Sequence, residues 1–234
     1  MNLGLPRRHY RLTDSTNRRA RDLAAAGAPG GTVVTAAEQT AGRGRQGRSW
    51  TAPSGAALLC SIVLRPLAER HKLLPLAVPV AVCEAAEALA PVQCQIKWPN
   101  DVWIEGHKCA GVLIEAKPQD GWAVIGVGVN LTIERGEFPV ELRETATSLG
   151  GGATPDSALE ALCDRLGGWL DTAPSEILDA FRARDALRGR EVGWNDRTGT
   201  ADGVDESGNL LVVTPGGERL SLGAGEVHLR RERG

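Results

Sequence analysis

Apolar runs and short polar segments follow one another along the chain, and their periods predict an α/β protein. Stretches with a helical period predict four helices, at residues 18–26, 71–89, 157–170 and 175–187. Apolar or alternating runs predict strands at residues 33–36, 57–64, 94–97, 102–104, 109–116 and 122–129. Gly106 and Asp120-Gly121 mark the turns of hairpins between the later strands.

The pattern changes after residue 187. From there on, short alternating strands are separated by glycine-rich turns, and no helical period is present. This texture is typical of a small β-barrel. We therefore predict two units, residues 1–187 and residues 188–234.

Composition and charge narrow the class of protein. The 234 residues include 27 Lys and Arg against 29 Asp and Glu, so the net charge of −2 provides no overall field for nucleic acid or membranes. The five cysteines form no CxxC pair, the N-terminus has no signal-peptide core, and the apolar runs are too short to span a bilayer. We expect a cytoplasmic protein that binds neither DNA nor membranes.

The most informative segment is the glycine- and arginine-rich loop of residues 42–50. Its glycines allow the backbone to approach a ligand, and Arg43, Arg45 and Arg48 supply charge-assisted donors for phosphate or carboxylate. Trp50 offers a face on which a purine can stack. A solvated Arg-Gly loop and a nucleic-acid-binding segment are the alternative interpretations.

A second segment runs from Lys97 to Asp101 and is followed by Lys108, one of only four lysines in the chain. Asn100 and Asp101 can face Mg²⁺ or a ribose hydroxyl, but an Asx turn joining two strands is the commoner role of such a pair. A surface lysine at a strand edge is the default explanation of Lys108. The glycine three residues later, Gly111, would leave room for a ligand beside the lysine.

Two further motifs are weaker. The glycines of Gly126-Val127-Gly128-Val129-Asn130 leave one face of a strand bare for a flat ligand or for close packing, and no Rossmann spacing follows. Ser15, Thr16 and Asn17 can bind a polar ring such as a urea or cap the first helix. The residues alone favour capping.

In their order along the chain, these four motifs resemble the biotin–protein ligase family, closely over residues 13–130 and weakly over 138–149. Gln46 stands where many members carry another Arg. The tail, with Gly203-Val204-Asp205 and Gly225-Glu226-Val227, is similar to the family's SH3-like C-terminal domain. The resemblance implies a mixed, largely antiparallel central sheet flanked by helices, the class II synthetase-like fold of biotin and lipoate ligases, followed by a small SH3-like β-barrel.

The resemblance also implies site residues. Lys108 and Arg43 would be catalytic, with Lys108 between the biotin carboxylate and the α-phosphate of ATP. The residues implied in biotin binding are Ser15, Thr16, Asn17, Gln39, Arg43, Gly44, Arg45, Lys108, Gly111 and Gly126. Those implied in binding ATP or the adenylate are Arg43, Arg45, Arg48, Trp50, Asn100, Asp101 and Asn130. Mg²⁺ would accompany ATP near Asp101 without a dedicated protein site.

The implied activity is the formation of biotinyl-5′-AMP and pyrophosphate from biotin and ATP. Biotin would then pass to a lysine of a biotin carboxyl carrier domain of a carboxylase. A lipoate or octanoate ligase and a nucleic-acid-binding module are the alternatives. Because the Ser-Thr-Asn motif begins at Ser15, we expect no N-terminal DNA-binding domain, and we expect a monomer or a weak homodimer.

Overall fold

The computed structural model describes residues 2–223 and 227–229, which form two sheets and four α-helices. The larger sheet contains β1 (Arg7–Thr13), β2 (Val33–Gln39), β3 (Ala57–Leu64), β4 (Cys94–Lys97), β5 (Asp101–Ile104), β6 (His107–Lys117) and β7 (Trp122–Asn130). The helices are α1 (Thr16–Ala25), α2 (Leu74–Leu89), α3 (Pro155–Trp169) and α4 (Pro174–Arg182). The smaller sheet contains β8 (Glu191–Trp194), β9 (Arg197–Val204), β10 (Leu210–Val213), β11 (Arg219–Leu222) and β12 (His228–Leu229).

The larger sheet has the strand order β1-β2-β3-β7-β6-β5-β4. Among its described pairings, β1 with β2 is parallel and the others are antiparallel. The predicted mixed, largely antiparallel sheet is therefore confirmed. None of the helices in the described part of the chain is long and apolar enough to cross a membrane.

The two faces of this sheet have different partners. On one face, Ala20 and Ala24 of α1 pack against Val34, Val63 and Val124. The other face packs on α2 and α3 in the main hydrophobic core. Because side chains alternate along a strand, β7 directs its even-numbered positions, including Gly126, toward the α1 side. Beside the first turn of α1, this face of the sheet lines a cavity.

The strand β1 was not predicted from the sequence. It is an edge strand, and five of the seven residues in Arg7–Thr13 are exposed. Edge strands tolerate charged side chains because one side of the strand meets solvent, so the alternation that indicates a half-buried strand is missing. With three arginines, this segment has no apolar and polar alternation from which a strand could be predicted.

The predicted helix at residues 175–187 is shorter than expected and ends at Arg182. After that residue the chain pairs with the outer edge of β4. The Ile96 N–H donates to the Arg184 carbonyl at 2.7 Å, and the Ala186 N–H donates to the Ile96 carbonyl at 2.9 Å. Covering an exposed strand edge offsets the loss of the last helical turn.

The C-terminal strands form an antiparallel sheet with the order β11-β10-β9-β8-β12, as the alternating pattern predicts. The boundary at residue 187 stays a prediction, and Gly225 and Glu226 of the tail motif lie outside the described residues. One contact joins this sheet to the Lys97–Asp101 segment: the indole N–H of buried Trp98 donates to the Gly208 carbonyl at 3.0 Å.

We expect Trp98→Phe to lower the unfolding free energy by about 0.5–1.5 kcal/mol, because the partly buried Gly208 carbonyl loses its donor. Thermal unfolding should then begin at a temperature lower by about 2–4 °C per kcal/mol. Trp194→Phe is the matched control, since it removes the same ring at another buried position without touching this link. Equal shifts in the two variants would contradict a specific role for the bond.

Candidate active site

A single cavity on the α1 face of the larger sheet brings the predicted site residues together. Its volume is about 370 Å³, within the range of small-molecule sites. Every residue predicted from the motifs lines it: Ser15, Thr16, Asn17, Gln39, Arg43, Gly44, Arg45, Arg48, Trp50, Asn100, Asp101, Lys108, Gly111, Gly126 and Asn130. Their roles toward a ligand stay predictions.

The first turn of α1 forms one wall of the cavity. Ser15 occupies the N-cap position, but its side chain makes no capping hydrogen bond, so the capping interpretation of this motif is wrong. The N–H and hydroxyl of Thr16 both lie within hydrogen-bonding distance of Gln39 Oε1, at 2.7 and 3.0 Å. These bonds orient the Gln39 amide along the wall.

Asn17 is fixed from three sides. Its Oδ1 accepts from the buried Ser61 hydroxyl at 2.6 Å, and its Nδ2 donates to Glu115 at 3.0 Å and to the Leu113 carbonyl at 3.4 Å. The close packing requires glycine opposite it. A Cβ on Gly126 would lie 2.0 Å from Asn17 Oδ1, which no side chain tolerates.

The bare face predicted for β7 is covered by a ring of the protein itself. Gly111 and Gly128 are register partners on adjacent strands, and Trp50 lies across both. A Cβ would meet the indole at 2.9 Å on Gly111 and at 2.5 Å on Gly128. Both glycines are therefore needed for the indole to reach the sheet, and the ring forms part of the cavity wall.

Lys108 extends into the cavity and meets a carboxylate. Its Nζ lies 2.6 Å from Asp101 Oδ1 and 5.5 Å from the centroid of the Trp50 ring. A Cβ on Gly111 would lie 3.3 Å from the same Nζ. The space that the sequence predicts beside the lysine is thus the path that the lysine side chain follows.

A bulge in β6 explains how Lys108 and Gly111, three residues apart, share one face. Lys108 pairs with Trp103 and Ala110 with Val102, so Cys109 is an extra residue in β6. Cys109 and Ala110 both enter the main core on the opposite face. A bulge of this kind shifts the alternation by one residue. The residues on either side of it, Lys108 and Gly111, therefore both face the cavity.

The backbone of Lys108 is held by a separate segment. Its N–H donates to the Thr145 carbonyl at 2.8 Å, and its carbonyl accepts from the Thr147 N–H at 2.9 Å. The Asn130 side chain donates to the Thr147 carbonyl at 3.0 Å. The segment of residues 145–147 therefore connects the end of β7 to the lysine that enters the cavity.

The glycine- and arginine-rich loop of residues 42–50, called the arginine loop below, folds back on itself as a small hairpin. The Trp50 N–H donates to the Gly42 carbonyl at 3.0 Å, and the Gly44 N–H donates to the Arg48 carbonyl at 2.7 Å. At the tip, Gln46 adopts a left-handed conformation with φ of 54°, which is uncommon for a residue other than glycine. The loop is thus a defined turn beside the cavity.

Two side-chain contacts fasten this loop to the sheet. Arg43 Nη1 donates to Glu115 Oε1 at 3.1 Å, and Arg45 Nη1 donates to Asn100 Oδ1 at 3.2 Å. The Asn100 amide also donates to the Val112 carbonyl at 2.8 Å. Asn100 therefore does more than form a turn between β4 and β5. Its side chain links Arg45 of the loop to Val112 of β6.

Two polar residues behind the cavity wall were missed by sequence reasoning. Ser61 is a lone hydroxyl within an entirely buried strand, and Glu115 is an acidic residue near the end of an apolar run. Such isolated polar positions are a usable signal, because buried polar groups require partners. Burial opposes ionisation of Glu115, but the Asn17 amide and the guanidinium groups of Arg43 and Arg21 hold its pKa below the usual value.

The described residues contain no group of three or more His, Cys, Asp or Glu side chains arranged to hold a metal ion. Among the predicted site residues, the carboxylate in the cavity belongs to Asp101, and Lys108 lies beside it. The cavity offers an incoming anion two lysines, Lys97 and Lys108, and three arginines.

The fold and the cavity define an α/β protein whose cavity lies between a sheet face and an arginine loop and is lined by cationic side chains. The profile of the Biotin/lipoate A/B protein ligase family matches residues 9–131, and that of the Biotin protein ligase C terminal domain matches residues 187–230. The chain belongs to the biotin/lipoate A/B protein ligase family.

Curated relatives agree with this assignment. The biotin–[acetyl-CoA-carboxylase] ligase of Mycobacterium tuberculosis is 37% identical over 240 residues, which cover 93% of this chain and 87% of that protein. The bifunctional ligase/repressor BirA of Bacillus subtilis is 39% identical over 150 residues, covering 62% of this chain and 46% of that protein. The match thus spans about half the length of this Bacillus relative.

A solved structure has a similar fold over nearly the whole chain. The biotin protein ligase from Aquifex aeolicus, in complex with biotin and ATP, has a TM-score of 0.81 and 30% identity. The match covers 97% of this chain and 99% of that chain.

Proposed function

We propose that the protein activates biotin with ATP to form biotinyl-5′-AMP and pyrophosphate, and then transfers biotin to a lysine of a biotin carboxyl carrier domain of a carboxylase. The observation that carries the proposal is the position of Lys108 in one cavity with the amide wall of α1 and the arginine loop. The relatives named as biotin ligases support biotin over lipoate or octanoate as the substrate.

The first step needs no general base. The carboxylate of biotin is ionised at neutral pH, because unperturbed carboxyl groups have pKa values of about 4. It attacks the α-phosphorus of ATP, the bond to the pyrophosphate oxygen breaks, and negative charge develops on the phosphoryl oxygens. Lys108 and Arg43 both line the cavity and would stabilise that charge, which usually contributes most to catalysis once the reacting groups are oriented.

Lys108 begins this reaction paired with Asp101. In the free protein the carboxylate keeps the ammonium group oriented in the cavity. When the anionic substrates enter, the ammonium group gains phosphate and carboxylate partners of the same charge as Asp101. Asp101 is thus a positioning partner for Lys108 in the proposed reaction.

Magnesium fits this site as a companion of ATP. Mg²⁺ binds through one or two carboxylates together with substrate phosphates, and Asp101 supplies a single carboxylate in the cavity. When bound there it would neutralise part of the phosphate charge. The chain's own residues would leave most of its coordination to phosphate and water.

Nucleic-acid binding is not proposed. Arg43 and Arg45 hydrogen-bond to Glu115 and Asn100 beside the cavity. We propose that the protein works in the cytoplasm as a monomer or weak homodimer that binds neither DNA nor membranes. Its macromolecular partner would be the carrier domain.

Pyrophosphate release that requires both biotin and ATP tests the first step, and labelling of a carrier domain tests the second. We expect release with biotin and little release with lipoate or octanoate in its place. Release with lipoate equal to that with biotin would contradict the proposed substrate. Labelling that fails after normal pyrophosphate release would contradict the proposed acceptor.

Ligand binding should also protect the arginine loop. At ten times the dissociation constant of the ligand, biotin with ATP should slow trypsin cleavage after Arg45 and Arg48 by about tenfold, because cleavage requires the unbound, open loop. Lipoate with ATP is the control ligand. Equal protection in the presence and absence of biotin would contradict contact between the loop and the bound ligand.

A further inference from the structure

The Glu115 carboxylate joins two parts of the cavity that are distant in sequence. Glu115 lies on β6, two residues beyond Leu113 and on the same face, and its side chain is 20% exposed. Its Oε2 accepts from Asn17 Nδ2 at 3.0 Å. Its Oε1 accepts from Arg43 Nη1 at 3.1 Å and from Arg21 Nη1 at 2.9 Å. One carboxylate thus contacts both the wall of the cavity and the loop beside it.

On the wall, Glu115 completes the fixation of Asn17. Both hydrogens of the Asn17 amide nitrogen are used, one by Glu115 and one by the Leu113 carbonyl. The amide oxygen accepts from Ser61 at 2.6 Å. A planar amide bonded at both ends cannot rotate without losing hydrogen bonds, so its orientation is set before a ligand enters.

On the loop, the charge of Glu115 matters more than its shape. Two guanidinium groups, from Arg21 and Arg43, converge on the same oxygen. The two positive charges repel each other, and the negative charge of the carboxylate between them offsets this repulsion. A neutral acceptor at this position would keep the bond from Asn17 but would leave Arg43 without a counter-charge, so the loop would lose its attachment to β6.

We propose that Glu115 is a positioning residue. It fastens residues 42–48 of the arginine loop to the cavity wall that contains Asn17 before the ligand binds. The fastening acts through Arg43. Its consequence for catalysis rests on the proposed function. Its effect on the loop does not, since the three contacts join residues of the chain itself and involve no ligand.

Limited digestion of the ligand-free protein with trypsin tests the fastening. Glu115→Gln keeps the side-chain shape and the bond from Asn17, and it should speed cleavage after Arg45 and Arg48 by roughly 3- to 10-fold, the effect of one partly screened charge-assisted bond. Cleavage outside residues 42–48 should stay unchanged. Arg21→Gln is the matched control because it removes the other guanidinium from the same oxygen, and it should not speed loop cleavage.

A second variant makes the test independent of how well Glu115→Gln folds. Arg43 is 49% exposed, so Arg43→Gln leaves the core intact and should open the loop to the same extent. Adding Glu115→Gln to Arg43→Gln should then change loop cleavage by less than about twofold, because partners in one interaction are not additive. Unchanged loop cleavage in Arg43→Gln, independent effects of the two changes, or faster cleavage in Arg21→Gln would each overturn the proposal.

The pyrophosphate assay tests the catalytic consequence. Glu115→Gln should raise the KM for biotin by roughly 3- to 10-fold and change kcat by less than about twofold, since the reacting groups are untouched. An unchanged KM in a variant with an opened loop would overturn this part. If the unsubstituted protein released no pyrophosphate, the proposed function would fail, whereas the digestion would still decide the role of Glu115.

Discussion

Lys108→Ala is expected to slow biotin- and ATP-dependent pyrophosphate release by about a hundred- to a thousand-fold, the usual cost of removing one donor aimed at developing charge. The lysine enters the cavity from β6, and its Nζ lies 2.6 Å from the Asp101 carboxylate. Its removal takes away a positive charge that the arginine loop cannot supply from the same position. Because Asp101 also loses its partner, a loss of about 1–3 kcal/mol of stability should accompany the change.

The control for this experiment lies on the same strand. Lys117 is near the far end of β6, its Nζ is 5.5 Å from the Trp122 ring centroid, and it pairs with Asp120 at 3.5 Å. Lys117→Ala therefore removes a lysine with the same kinds of neighbours outside the cavity. Pyrophosphate release should be unchanged in it. Normal release by Lys108→Ala would contradict the role assigned to Lys108.

Gly126→Ala is expected to weaken biotin binding by about a hundredfold, because displacing a ligand-positioning group by about 1 Å has effects of that size. The new methyl group would lie 2.0 Å from Asn17 Oδ1, and Asn17 is bonded on three sides. Overpacking of this kind should also lower the unfolding free energy by about 1–3 kcal/mol. Calorimetric titration with biotin and thermal unfolding measure the two effects.

Two further variants separate the clash from the loss of binding. Gly193→Ala is the matched control, since Gly193 lies in a strand of the smaller sheet where a Cβ has its nearest contact at an ordinary 3.7 Å. Combining Asn17→Ala with Gly126→Ala removes the clashing group. It should recover part of the lost thermal stability but not the biotin affinity, because the hydrogen bonds of Asn17 are lost with its side chain. Restored affinity in that double variant would show that Asn17 does not contact the ligand.

The residues of the cavity could be predicted because each motif is local. Glycines, arginines and the paired Asn100 and Asp101 have composition and spacing that indicate a ligand site even before the fold is known. The structure brings all four motifs to one cavity. Two strands that line the cavity, β3 and β7, could be predicted because they are buried along their whole lengths and read as continuous apolar runs.

What the sequence could not provide are contacts between distant segments. Glu115 and Arg43 are 72 positions apart, and nothing in either local pattern links them. The charged edge strand β1 was missed because most of its side chains are exposed, so the segment shows no alternation of apolar and polar residues. The early end of α4 was missed because the competing partner is the edge of β4.

The bulge at Cys109 also affects how relatives of this chain should be aligned. Side chains of a regular strand face the same side at every second residue. Lys108 and Gly111 are three residues apart and share a face only because Cys109, the extra residue of the bulge, lies between them. In a relative that lacks this residue, the lysine and the glycine would be two residues apart in a regular strand and would still face the same side. A one-residue gap at this place is therefore compatible with the same geometry, whereas a gap elsewhere in β6 would invert every side chain beyond it.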